Sequence, residues 1–104
     1  MSKKRLDLEK LHDGKLHEFT AVIGRQSADG RYNKTYLLLN VEDINGKEIC
    51  EHVWVMTRNS KQRKALADKM AKRQRARIVG KVYEYEYENS GEKNFSFRVE
   101  KVLD

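Results

Sequence analysis

Residues 76–82 read Ala76-Arg77-Ile78-Val79-Gly80-Lys81-Val82. Ile78, Gly80 and Val82 alternate with Arg77, Val79 and Lys81, and a period of two is the spacing of a half-buried strand. Downstream the alternation continues, with Tyr83, Tyr85 and Tyr87 on the face of Val79 and Lys81. Residues 88–94 are rich in turn formers, and a last strand follows with Phe95, Phe97 and Val99 on one side and Ser96, Arg98 and Glu100 on the other. Upstream the period is helical. Leu66 and Met70 lie four apart with Ala67 alongside, which predicts a helix over 61–73 with Ser60 as its N-cap.

Ahead of that helix stand two β-rich runs, 35–42 and 48–56, joined by Asp43-Ile44-Asn45-Gly46-Lys47. Asn-Gly between such runs is a hairpin signal. A two-residue turn at Asn45-Gly46 would pair Leu37 with Trp54 and turn the indole to the core. A three-residue loop, a type I turn closed by Gly46 in a left-handed bulge, would pair Tyr36 with Trp54, because one step of register exchanges faces. Asp43 and Asn45 at the first and third turn positions favour the three-residue loop. It places Tyr36, Leu38, His52 and Trp54 on the outer face, and it leaves Glu51 on the inner side unless a bulge intervenes.

From Leu16, Phe19, Ala21 and Ile23 mark a first strand that ends at Gly24, and residues 26–34 form a loop around Gly30. Before it, residues 1–15 form a short extension with a helix or turn at Leu8 and Leu11, and 16–104 form the main domain.

The chain has 104 residues, 22 Lys or Arg against 16 Asp or Glu, and a formal charge of +6. That length suits one domain. The charge is uneven. Residues 57–80 hold nine basic side chains and one acid, Asp68, so this stretch is +8, and the remaining 13 basic and 15 acidic residues leave −2. Such a block suggests an anionic partner, nucleic acid before membrane. The plainer reading is a solvated helix face with skewed composition. A single cysteine, Cys50, allows no internal disulfide, and the start Met1-Ser2-Lys3-Lys4-Arg5 offers no apolar leader core, so a cytoplasmic protein is expected. The longest apolar run is Leu37-Leu38-Leu39, too short to span a membrane.

The order strand, strand, strand, helix, strand, strand resembles the OB-fold over residues 16–103, a mainly β, five-stranded Greek-key barrel with one helix between strands three and four. Ile78-Val79-Gly80-Lys81-Val82 is similar to the strand after the helix in bacterial single-stranded DNA-binding proteins, where a glycine between inward apolar residues lets a curved strand turn the barrel corner. Two departures are Arg73-Gln74-Arg75, where those proteins usually have a glycine turn, and the basic helix. OB barrels also bind RNA, oligosaccharides and proteins.

The resemblance implies binding across the outer face of strands two and three, between the first-second and fourth-fifth loops. On this chain that surface would take Arg25, Arg31, Tyr32 and Lys34 from the first loop and Tyr36 and Trp54 from the sheet, with Arg73, Arg75, Arg77, Lys81 and Tyr83 beside it. Aromatic planes stack bases at ~1–3 kcal/mol each while cations follow the backbone. The alternative for Trp54 is an ordinary core aromatic. The expectation is a non-enzymatic protein that binds single-stranded DNA, or RNA through the same chemistry, with little sequence specificity and with a homo-oligomer as a way to lengthen its footprint. The alternative from another class is an OB-fold interaction module whose basic helix docks an acidic partner.

No cofactor or metal is expected. His12, His17 and His52 share no zinc spacing with Cys50, and no phosphate loop, Gly-x-Ser-x-Gly or carboxylate-pair motif occurs. Cys50 reads as a small core residue.

Overall fold

The computed structural model describes residues 6–27, 35–86 and 90–103. It is mainly β. The elements run α1 (Leu6–Glu9), β1 (Leu16–Gln26), β2 (Thr35–Glu42), β3 (Glu48–Met56), α2 (Ser60–Lys72), β4 (Arg75–Glu86) and β5 (Lys93–Leu103). All strand pairs are antiparallel, in the order β3-β2-β1-β4-β5, with the helix between β3 and β4 as the sequence predicts. The alternating residues of every strand fill one core. Phe19, Ala21 and Ile23 come from β1, Ile78 and Val82 from β4, and Phe95, Phe97 and Val99 from β5. Phe19 stacks on Phe97 with ring centroids 4.4 Å apart. Leu8 of α1 is fully buried in the same cluster.

Gly80 sits where β4 and β5 crowd together. A methyl group there would meet Phe97 Cδ2 at 2.6 Å and the Arg98 carbonyl at 2.9 Å. The register slips by one beside it, between Val79–Lys101 and Gly80–Val99. A bulge of that kind bends a ladder.

The hairpin turn is the three-residue type. Gly46 N–H donates to the Asp43 carbonyl (3.1 Å), Asp43 N–H donates to the Lys47 carbonyl (2.9 Å), and Gly46 is left-handed at φ 82°. The Asp43 carboxylate accepts from the Asn45 and Lys47 amides at 2.8 and 3.0 Å. Beyond the turn, however, the ladder slips between Val41–Cys50 and Glu42–Glu48. Ile49 and Cys50 are both buried in succession, and Glu51 is exposed. This shift pairs Leu37 with Trp54 and Leu38 with Val53. The expectation that Tyr36 and Leu38 face outward is corrected: both are buried, because the alternation of β2 breaks at Asn40, left-handed at φ 50°, so that Leu38 and Val41, three apart, both point inward. Trp54 and His52 do face outward.

The cap of α2 lies one residue earlier than predicted. Asn59 accepts from the Gln62 amide at 2.9 Å, which satisfies one of the free N–H groups of the first turn. Leu66 is buried beneath the helix. Gln62 is buried too, accepting from the Arg58 amide (2.7 Å) and donating to the Glu100 carbonyl (3.0 Å), which ties α2 to β5. No helix among the described residues is long and apolar enough to cross a membrane.

Candidate functional site

Trp54 is 38% exposed on the outer face of β3, with Met56, 51% exposed, two residues along the same face. Pairing with Leu37 of β2 holds the indole above the sheet. Arg25 reaches it through a bulge in β1, where the register steps from Ile23–Leu38 to Arg25–Leu37 and leaves Gly24 unpaired. Without that extra residue Arg25 would share the inward face of Ile23. Its guanidinium carbon stands 5.5 Å from the Trp54 ring centroid, within the range of a cation–π contact.

Tyr36, expected beside Trp54, lies beneath the sheet at 1% exposure. Its hydroxyl donates to the Arg63 carbonyl of α2 at 3.1 Å. Burial pushes the phenol above its ordinary value, against the smaller opposing effect of the Arg63 charge. It is a structural tether and cannot stack a base.

The arginines after the helix are engaged elsewhere. Arg75 donates through Nη2 to the Thr20 carbonyl (3.1 Å) and the Asn40 carbonyl (2.7 Å), with Glu42 at 3.5 Å, so it stitches β4 to β1 and β2. Arg77 donates through Nε (3.3 Å) and Nη2 (3.1 Å) to one oxygen of Glu18. Arg73 closes α2 in the left-handed region at φ 55°, its amide bonded to helix carbonyls. Lys81 is exposed on the outer face of β4, directly opposite Arg98. Tyr83 is half-buried, with the Arg98 guanidinium 5.9 Å from its ring centroid and Tyr85 at 6.3 Å. Arg31, Tyr32 and Lys34 lie outside the described residues.

The structure thus brings together two of the sequence candidates, Arg25 and Trp54, and gathers Lys81 and Tyr83 on the neighbouring strand. Arg98 is the residue that sequence reasoning passed over as a site. The alternation of Phe95, Phe97 and Val99 already set it on the outer face, but only the pairing of β4 with β5 brings it to Tyr83. The two edge strands of the sheet also meet. Ser96 Oγ of β5 donates to the Trp54 carbonyl at 3.0 Å, and Ser96 pairs with Tyr83 in register.

Away from the Trp54 face, a cleft of about 430 Å³ opens between α1, the start of β1 and the hairpin turn. Its lining mixes Leu16 and Ile44 with Glu18, Asp43 and Lys47, so no single charge converges on it. Cys50 is buried and forms no disulfide, and no group of three His, Cys, Asp or Glu among the described residues could hold a metal ion. Comparison with protein-family models, with curated proteins and with solved structures gives no match to the chain.

Proposed function

We propose that the protein is a non-enzymatic single-strand binder of OB-barrel type, taking DNA in preference to RNA by base stacking and phosphate neutralisation. The observation that carries the reading is the exposed Trp54 ring with Arg25 beside it on a sheet face. A rigid aromatic plane left partly in water gains by covering itself with a base, and every base has a π-face, so little sequence preference follows. The barrel is supported by the junction of β3 with β5 through Ser96, which would complete the ring of neighbours expected of that fold. The slipped register at Gly80 is the kind of bend a closing strand needs.

Trp54 is the only tryptophan, so its fluorescence reports the site directly. Titration with a thymidine oligomer at low salt is expected to quench it. Trp54→Ala, followed by the anisotropy of a labelled oligomer, is expected to weaken binding by about 5- to 150-fold, the equivalent of one stacked base. An absence of both quenching and gel retardation would remove this reading. It would favour instead a module that docks an acidic partner on α2, where Lys61, Lys64, Lys69 and Lys72 face only one acid of the helix, Asp68.

A further inference from the structure

Lys81 and Arg98 stand directly opposite each other across β4 and β5, and both are exposed. Like charges at opposed positions destabilise a sheet. Lys101, paired with Val79 on the same face, adds a third exposed cation. Among the described residues none of the three makes an ion pair, whereas Arg77, farther along β4, is neutralised by Glu18. The neighbouring acids are engaged or turned away: Glu18, paired with Val79 on this face, is held by Arg77, Glu84 alternates to the other face of β4, and the Glu100 carboxylate is held by Arg58. A sheet that sets unrelieved positive charges side by side stores repulsion that a bound anion would release. The ring of Tyr83 lies at this cluster, under the Arg98 guanidinium. One residue across the ladder is Ser96, bonded to the Trp54 carbonyl. The backbones carrying the two rings are therefore separated by about two strand spacings, on the order of 10 Å.

We infer that Tyr83, Lys81, Arg98 and Lys101 form a second nucleotide subsite, in which Tyr83 stacks a base and the cations take the adjoining phosphates. The inference rests on the proposed single-strand function and extends it. The strand would cross from the Trp54 ring over the meeting of β3 and β5 to Tyr83, so its path would run across the strands and not along β2 and β3 alone. A guanidinium flanks each ring, and each ring keeps part of its surface in solvent, where a base can cover it.

The test uses the full chain and fluorescein-labelled thymidine oligomers, one of about 15 nucleotides and one of about 3, spanning the footprints known for such barrels. Tyr83→Ala is expected to weaken the longer oligomer by about 5- to 150-fold while Tyr83→Phe binds as wild type. Trp54 quenching by the short oligomer should survive in Tyr83→Ala. The double substitution Lys81→Gln with Arg98→Gln should flatten the slope of log K against log salt by about 1.4, two contacts at about 0.7 each. Circular dichroism confirms that each variant is folded. If Tyr83→Ala stays within about twofold of wild type while Trp54→Ala loses affinity, the second subsite is wrong and single-strand binding stands. If the cation variants weaken binding and Tyr83→Ala does not, the patch is a general polyanion surface and the subsite is equally wrong. If wild-type protein binds neither oligomer, both readings fall together.

Discussion

The Tyr36 hydroxyl carries more structural weight than its position in a strand would suggest. It donates to the Arg63 carbonyl from a site 1% exposed, so it joins β2 to α2 beneath the sheet. Tyr36→Phe keeps the ring and leaves that carbonyl without its partner, and the expected cost is about 0.5–1.5 kcal/mol in urea unfolding. The pH dependence has a fixed sign. Burial holds the phenol protonated beyond its ordinary range, whereas in the unfolded chain it ionises near pH 10. The stability it contributes is complete below that value and is lost as the pH rises past it. The difference in unfolding free energy between wild type and Tyr36→Phe should therefore shrink from about pH 9 to pH 11. A difference that grows over this interval would mean that Tyr36 ionises more readily folded than unfolded. The same residue shows where reading a sequence reaches its limit. Alternation identified the strand, but the face depended on one left-handed residue, Asn40, which sets Leu38 and Val41 on the same side; asparagine tolerates that conformation but does not announce it.

At the scale of elements, the helix is more legible than its ends. Leu66 and Met70 face the core as their spacing requires, but the cap shifts to Asn59, whose side chain makes the bond that Ser60 was expected to make. The far end breaks a local rule. Arg73 occupies the left-handed region at φ 55°, where a glycine carries no Cβ penalty and an arginine does. Arg73→Gly is expected to raise stability by roughly 0.5–1 kcal/mol in thermal or urea melts, the relief of strain less the added freedom of the unfolded glycine. Binding by the same variant separates two roles. If Arg73 meets a phosphate, the salt slope falls by about 0.7; if it only ends the helix, the slope is unchanged. The hairpin turn was legible for a related reason. Asp43, Asn45 and Gly46 each satisfy a backbone need within five residues, whereas the partners of Arg75 and Arg77 are brought in from β1 and β2 by the fold and leave no local signal.

Across the whole molecule, the charge asymmetry in the sequence turns out to be partly spent on internal pairing. Of the nine cations between residues 57 and 80, Arg58, Lys72, Arg75 and Arg77 are joined to Glu100, Asp68, Glu42 and Glu18. The cations of the outer sheet face that make no ion pair among the described residues come instead from outside the block: Arg25 over Trp54, then Lys81, Arg98 and Lys101. A net charge of +6 will speed encounter with any polyanion, but steering alone fades with distance and salt and leaves no stoichiometric count of contacts. Direct contact does leave one. With about five phosphates neutralised along this face, affinity for a thymidine oligomer should fall ~100-fold between roughly 50 and 200 mM salt, a logarithmic slope near −3.5. The slope should be almost unchanged by Arg77→Gln, because that guanidinium already faces Glu18, and should drop when Lys81 or Arg98 is neutralised. A response to Arg77→Gln as large as that to Lys81→Gln would locate the phosphate path nearer the helix than the Trp54 face. A flat salt response in wild type would leave stacking without its electrostatic partner, and the cations on β4 and β5 would then need another anion to explain them.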